Sequence, residues 1–376
     1  MTPPQIPVFD IRIEPQDLEA VERTLRSGWL SAGQETEAFE REFAEHLGAK
    51  HVLATSSCTT ALHLACVVAG VGPGDEVIVP ALSFVADAHA PRCAGGEPVF
   101  VDVVAPGEPL VDPAAVEAAI TERTKAVIAV HMFGYPADLD RLTAICDEHG
   151  LALIEDCAES DGGRLRDGSP AGTRGVCGCF SFFSKTQLGV GEGGIMTTDD
   201  DEFAARLRLL RSHAMTSVTW DRHRGHAETY DVTDLGFNYR IDEPRAALAR
   251  SRLERLDHSL AELGRVAGEY RERLAAVDGV EIPFADFDLG WSGHFAFPVL
   301  VADQTTRDGL RERMHANGVQ TTFYPSLTQL TLYAEKGPAP VAEEFADRHL
   351  ALPFSPALDS ERIELVVGEL ADGLRA

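Results

Sequence analysis

Lysine is nearly missing from this chain. Lys50, Lys125, Lys185 and Lys336 are the only four among 376 residues, against 29 arginines. An amine differs from a guanidinium chiefly in being able to lose its proton and attack a carbonyl. A lysine kept beside a glycine turn, as Lys185 is in FSFFSKTQLGVGEGG (180–194), therefore stands out. Positive charge is short as well. The 33 basic residues face 60 acidic ones for a net charge of −27, which argues against a phosphate backbone as ligand, and no nucleic acid is expected. Nothing approaches the ~20 apolar residues of a membrane span, and MTPPQIPVFD lacks a charged lead followed by an apolar stretch. A soluble cytoplasmic protein with no membrane partner is expected. The seven cysteines are odd in number and scattered through mostly apolar segments, which suits reduced core thiols. Cys177-Gly-Cys179 is too isolated a pair to define a metal site, and no metal is expected.

What is there is an alternation. HVLATS (51–56), EVIVP (76–80), PVFVDV (98–103), KAVIAVH (125–131), LALIED (151–156), CFSFF (179–183) and GGIMTT (193–198) are short and mostly unalternating, as strands buried on both faces are. Helical stretches at 60–70, 112–121 and 139–150 lie between several of them, after helices at 15–28 and 35–47. The pattern predicts an α/β fold with a mainly parallel, seven-stranded sheet flanked by helices. The expected boundaries are a large domain over 1–250, N-terminal helices included, and a smaller α+β domain over 251–376. Residues 247–277 predict a long helix or two. A strand at 294–301, a helix at 305–318, a strand at 319–325 and a closing helix over 360–376 complete the second domain. Mobility is expected at 217–233 and 328–345, and no internal repeat is evident.

Three features fall at the C-terminal ends of these strands, where open α/β sheets bind ligands. TSSCTTALHLA (55–65) starts a helix with small hydroxylated residues, which makes an anion site or a plain N-cap. IEDCAESDGG (154–163) ends a strand in Glu155-Asp156, a carboxylate at the sheet edge that wants a cationic partner. The third feature is the 180–194 segment, with the Ser181 hydroxyl, the Lys185 amine and the close-approach glycines 191, 193 and 194. A phosphate cradle, a carboxylate for a protonated ring nitrogen and an amine for a carbonyl together match the needs of pyridoxal phosphate.

With these segments in order, joined by GWLSAG, GDEVIVPALSFVADA, VHMFGYPADLDRL and LGFNYRIDEPRAAL, the chain resembles the DegT/DnrJ/EryC1/StrS family of pyridoxal-phosphate-dependent sugar aminotransferases almost end to end. The resemblance implies the fold type I architecture and a cofactor of pyridoxal 5'-phosphate or its pyridoxamine form. It implies Cys58 and Thr59 with Ser181 at the phosphate, Phe84 stacked on the ring, Asp156 at the ring nitrogen and Glu159 near the phenolic oxygen. Asn238 matches a residue reaching the phosphate of a neighbouring subunit, so a homodimer with shared sites is implied. Trp29 and the Ser31–Gly33 loop match the substrate side of the pocket. His213 and Tyr324 are further candidates there, although TTFYP (321–325) is one residue shorter than similar family segments. The implied partners are an amino-acid donor and a keto sugar or keto-cyclitol, nucleotide-linked forms included.

One departure bears on the chemistry. Counting from Ser181 and back from Gly191, the family's spacing for the lysine that anchors the cofactor lands on Thr186, not Lys185; relatives resembling SKKQL have lysine at both places. Adjacent side chains of an extended segment point to opposite faces, so Lys185 must turn the loop to reach the cofactor. If it does, the chain is an ordinary aminotransferase. If it does not, Thr186 is too weak a base to replace it, and Glu159 or His213 is left to act in a lysine-less, dehydratase-like enzyme. A catalytically silent homologue is the remaining reading.

Overall fold

The computed structural model describes residues 6–217 and 219–375; the last residue of the expected closing helix and Val218 of the 217–233 segment lie outside the described residues. The strands in chain order are β1 (His51–Thr55), β2 (Glu76–Pro80), β3 (Glu97–Val101), β4 (Val103–Ala105), β5 (Glu108–Val111), β6 (Thr124–Val130), β7 (Ala152–Asp156), β8 (Cys177–Ser181), β9 (Gly194–Thr198), β10 (Phe297–Leu300) and β11 (His349–Leu352). Seven form one sheet in the order β1-β9-β8-β7-β6-β2-β3. All seven expected strands are in it. Pairing is parallel from β8 through to β3, and β9 runs antiparallel to both β8 and β1. The link from β8 to β9 contains no helix, so no crossover turns β9 round and it returns antiparallel.

The strand expected at 179–183 begins two residues earlier. Gly178 sits inside it because a Cβ there would meet Gly172 O and Thr197 Oγ1 at 2.5 Å; a glycine needed for packing reads in sequence as a turn. Helices cover both faces of the sheet, and apolar clusters fill the two interfaces, one around Leu62, Val79 and Ile128, the other around Phe39, Val127 and Phe180. The expected helices form, with the 247–277 stretch divided into Glu243–Leu253 and Leu256–Leu274 at Arg255. Helices Ala86–Ala94 and Asp201–Leu210 are additions; the first carries an internal Pro91, which obscures its period.

A third apolar cluster joins Leu263, Val266 and Tyr270 of the long helix to β10, β11 and the helices Gln304–Ala316 and Ser360–Arg375. Ile6 belongs to it, its N–H donating to Gly318 O at 3.0 Å. The segment 319–325, expected as a strand, makes only single bridges from Val319 to Ile6 and from Thr322 to Ala351. Beyond them the chain bends at Pro325 so that the Leu327 N–H can donate to Ala81 O at 2.7 Å, which ends any ladder. Within the 328–345 segment, a helix begins at Pro340 and runs to Arg348. Among the described residues no helix is long and apolar enough to cross a membrane.

Candidate active site

β1, β2, β6, β7 and β8 all end on one edge of the sheet, and the chemistry gathers there. Past β1, Ser57 caps the helix Cys58–Val68, its Oγ accepting from Thr60 N at 3.2 Å. The first-turn N–H groups of such a helix point outward and favour an anion. Gly194, at the start of β9, presses on this turn: a Cβ would lie 2.6 Å from Ser57 C and 2.7 Å from Cys58 N. Ser181 is buried beside it at the end of β8, its Oγ accepting from Phe183 N at 3.2 Å. Thr59 and Asn238 are exposed. The Cys58 thiol is turned away from the cradle, 3.7 Å from Asp156 Oδ1, so it is the backbone N–H of Cys58 that an anion would meet.

The two acids closing β7 face opposite sides, as alternation requires. Glu155 is fully buried and accepts from Gly172 N, Arg174 N and Gly175 N at 2.6–2.7 Å and from His131 Nε2 at 3.0 Å. Burial pushes its carboxyl up, but those bonds outweigh it and hold it below the usual range. Glu155 pins the 172–175 loop. His131 Nδ1 accepts from Ala137 N at 3.2 Å, so the grouping of His131, Glu155 and Cys157 is closed by its own hydrogen bonds. Asp156 instead faces the Cys58 thiol and Asp87. Ala158 N donates to its Oδ1 at 2.7 Å, and burial pushes its carboxyl up against that bond. Phe84 projects nearby with 71% of its surface exposed, an unusual state for phenylalanine and one that a stacked ring would relieve.

The segment after β8 turns instead of running extended: Thr186 N donates to Phe183 O at 2.9 Å and Gly189 N to Thr186 O at 3.0 Å. The turn sends the two side chains apart. Thr186 is buried, its hydroxyl donating back to Phe183 O at 3.1 Å, beside Asp161. Lys185 Nζ lies 3.3 Å from Tyr324 Oη and 4.6 Å from the centre of the Phe295 ring. Desolvation lowers the pKa of this amine, and Glu159 pulls it partly back. Glu159 Oε2 accepts from Phe133 N at 2.6 Å, an N–H aimed by the left-handed φ of 58° at Phe133. Burial raises the Glu159 carboxyl to about 7 against the pull of Lys185. Tyr324 is held from the other side by His349, whose Nε2 accepts from its backbone N–H at 2.9 Å.

Of the four substrate-side candidates, Tyr324 alone among the described residues bonds to Lys185. Trp29 packs against Trp220 and His223, at 5.0 and 4.5 Å between ring centres, and its buried Nε1 has no partner among the described residues. Ser31 and His213 are exposed, His213 with a left-handed φ of 61°. A cavity of ≈ 360 Å³ opens on Lys185 and Thr186 between the N-terminal segment, the long helix and the C-terminal part of the chain; Arg12, Gln16, Arg252, His258, His294 and Ser355 are among its walls. Sequence reasoning did not reach these residues. Their segments are far apart in the chain and carry no shared motif. Asp87 carries no motif of its own either.

A buried acid without a cation at Asp156, a helix start pressed by a glycine, an exposed aromatic face and a desolvated amine fit pyridoxal phosphate. Fold and site define a cofactor-dependent α/β transferase. The chain is matched over residues 12–371 by the model of the DegT/DnrJ/EryC1/StrS aminotransferase family and belongs to that family, whose members are pyridoxal-phosphate-dependent transferases. It is 37% identical over 372 residues to the dTDP-3-amino-3,4,6-trideoxy-alpha-D-glucose transaminase of Streptomyces venezuelae, covering 95% of this chain and 93% of that one. It is similar in structure to the aminotransferase TlmJ of Streptoalloteichus hindustanus, with a TM-score of 0.91, 35% identity and coverage of 98% and 99%. The pyridoxal-phosphate form of a putative sugar aminotransferase, Spr1654 of Streptococcus pneumoniae, matches with a TM-score of 0.90, 25% identity and coverage of 99% and 98%.

Proposed function

We propose that this aminotransferase uses Lys185 as the covalent anchor of pyridoxal phosphate and moves an amino group from an amino-acid donor to a keto sugar or keto-cyclitol, nucleotide-linked forms included. The observation that carries the reading is the direction of one side chain: Lys185, and not Thr186, faces Glu159 and Tyr324 at the sheet edge. Bound there, pyridoxal phosphate supplies a carbonyl carbon for the amine and an electron sink that works while its ring nitrogen is protonated. In this reading the Cys58 and Thr59 N–H groups and the Ser181 hydroxyl hold the phosphate, Phe84 covers the ring, and Asp156 keeps the proton on the ring nitrogen. The lowered pKa of Lys185 favours its neutral, nucleophilic form, and the same amine, once released, carries a proton off one carbon and onto another. Glu159, near 7, is poised to exchange a proton with its surroundings at neutral pH.

The lysine-less and silent readings are not favoured, because the relatives are transaminases and the turn at 183–186 delivers an amine. A homodimer with shared sites is part of the proposal. Asn238 is exposed at the end of a stretch that also exposes Tyr230, Val232 and Leu235, the last at 81%; a neighbouring subunit would cover that surface. A cytoplasmic location is also part of the proposal, supported by seven scattered cysteines that suit reduced thiols.

Borohydride reduction of the holoenzyme followed by peptide mass mapping tests the anchor. The pyridoxyl group is expected on Lys185 and survives in Thr186→Ala. A label on another residue, or none while glutamate still converts the cofactor to its amine form, sinks the assignment.

A further inference from the structure

A second acid stands behind Asp156. Asp87 lies in the first turn of the helix Ala86–Ala94, completely buried, and the Ser83 hydroxyl donates to its Oδ2. Its other oxygen, Oδ1, has no donor among the described residues, yet the carboxyl is within hydrogen-bonding reach of Asp156. Two buried carboxylates in contact cannot both be ionised, and one proton must lie between them. The existing bonds say where. Ala158 N and the Cys58 thiol are both directed at Asp156 Oδ1, which stabilises an anion. Asp87 has one hydroxyl donor and a bare oxygen, which is what a protonated acid presents to its surroundings.

We propose that Asp87 is a positioning residue for the ring-nitrogen site, a neutral acid anchored by Ser83 that donates a hydrogen bond to Asp156 and weakens it as a base. The inference rests on the reading of Asp156 as partner of the ring nitrogen. A weaker base leaves the proton on the ring, where it keeps the electron sink working. Burial, then the Asp156 charge, pushes Asp87 upward. The groups facing the pair are the Cys58, Cys66, Cys157 and Cys179 thiols, His131 and Glu159; the four thiols are pushed up by burial and add no charge.

The test uses the full chain. Infrared spectra of the cofactor-free protein should show the carbonyl band of a protonated acid that Asp87→Asn removes. Pyridoxal phosphate labelled with nitrogen-15 in its ring should bind Asp87→Asn within about threefold of the parent, because the amide still donates. It should bind Asp87→Leu more weakly by on the order of tenfold, with the ring nitrogen deprotonating at lower pH. A parent-minus-Asp87→Asn difference spectrum that lacks a protonated-acid carbonyl band overturns the proposal, as does a ring signal unmoved in Asp87→Leu. Should the leucine variant not fold, the infrared comparison decides. An Asp156→Asn variant whose ring signal and binding match the parent defeats the reading of Asp156 instead, and the infrared result on Asp87 stands apart from it.

Discussion

At the scale of single residues, Lys185 and Glu159 tune each other in opposite directions. The Glu159 carboxylate supports the charged form of Lys185, so Glu159→Gln is expected to lower the lysine's pKa further. The rate at which pyridoxal phosphate attaches should rise with pH and level off below the ordinary lysine value of 10.5, and in Glu159→Gln it should level off lower still. Stopped-flow absorbance across pH checks both. Glu159 also leaves a signature in stability. Its folded pKa, about 7, lies above the unfolded 4.5, so the folded chain holds a proton the unfolded chain has lost between those values. Stability from this group is full below pH 4.5 and declines as pH rises to 7. Relative to Glu159→Gln, the cofactor-free parent should lose up to about 3 kcal/mol between pH 5 and 8, read from urea midpoints. The sequence made the Glu155-Asp156 pair and Lys185 visible because acids at a strand end and a rare amine in a glycine turn are unusual, and the family resemblance singled out Asp156 and Glu159. It could not say which of Lys185 and Thr186 faces inward. The family's spacing pointed to Thr186, and the parting of the two side chains comes from a turn closed by a backbone bond from Thr186 N to Phe183 O.

At the scale of elements, the apolar strand runs were plain to read, and the exceptions share a cause. Gly178 inside β8 and the bent 319–325 segment each serve a contact outside their own element: Gly172 and Thr197 for the first, Ala81 for the second. Local pattern carries no record of such partners. The same logic makes β9 sensitive. Gly194→Ala would drive a methyl into the backbone of Ser57 and Cys58, and is expected to cost about 1–3 kcal/mol. It should also weaken stabilisation by inorganic phosphate, which thermal melts with and without the anion measure. An unchanged phosphate response would show that this helix start is not the cradle.

At the scale of the whole molecule, the exposed apolar stretch bears on the proposed assembly. Sedimentation velocity at micromolar concentration is expected to show a dimer, and Leu235→Asp to shift it to monomer with loss of bound cofactor. A parent that sediments as a monomer with full cofactor would refute shared sites. The place of β9 has one more consequence, for the order of events in folding. The proposed anion cradle forms only once β9 has slotted between β1 and β8, joining residues that the chain keeps far apart. Loops of that length close late and slowly. A nascent chain therefore has no grip on its cofactor until most of the sheet is assembled, and pyridoxal phosphate should act as a lock on the finished domain and not as a seed for it.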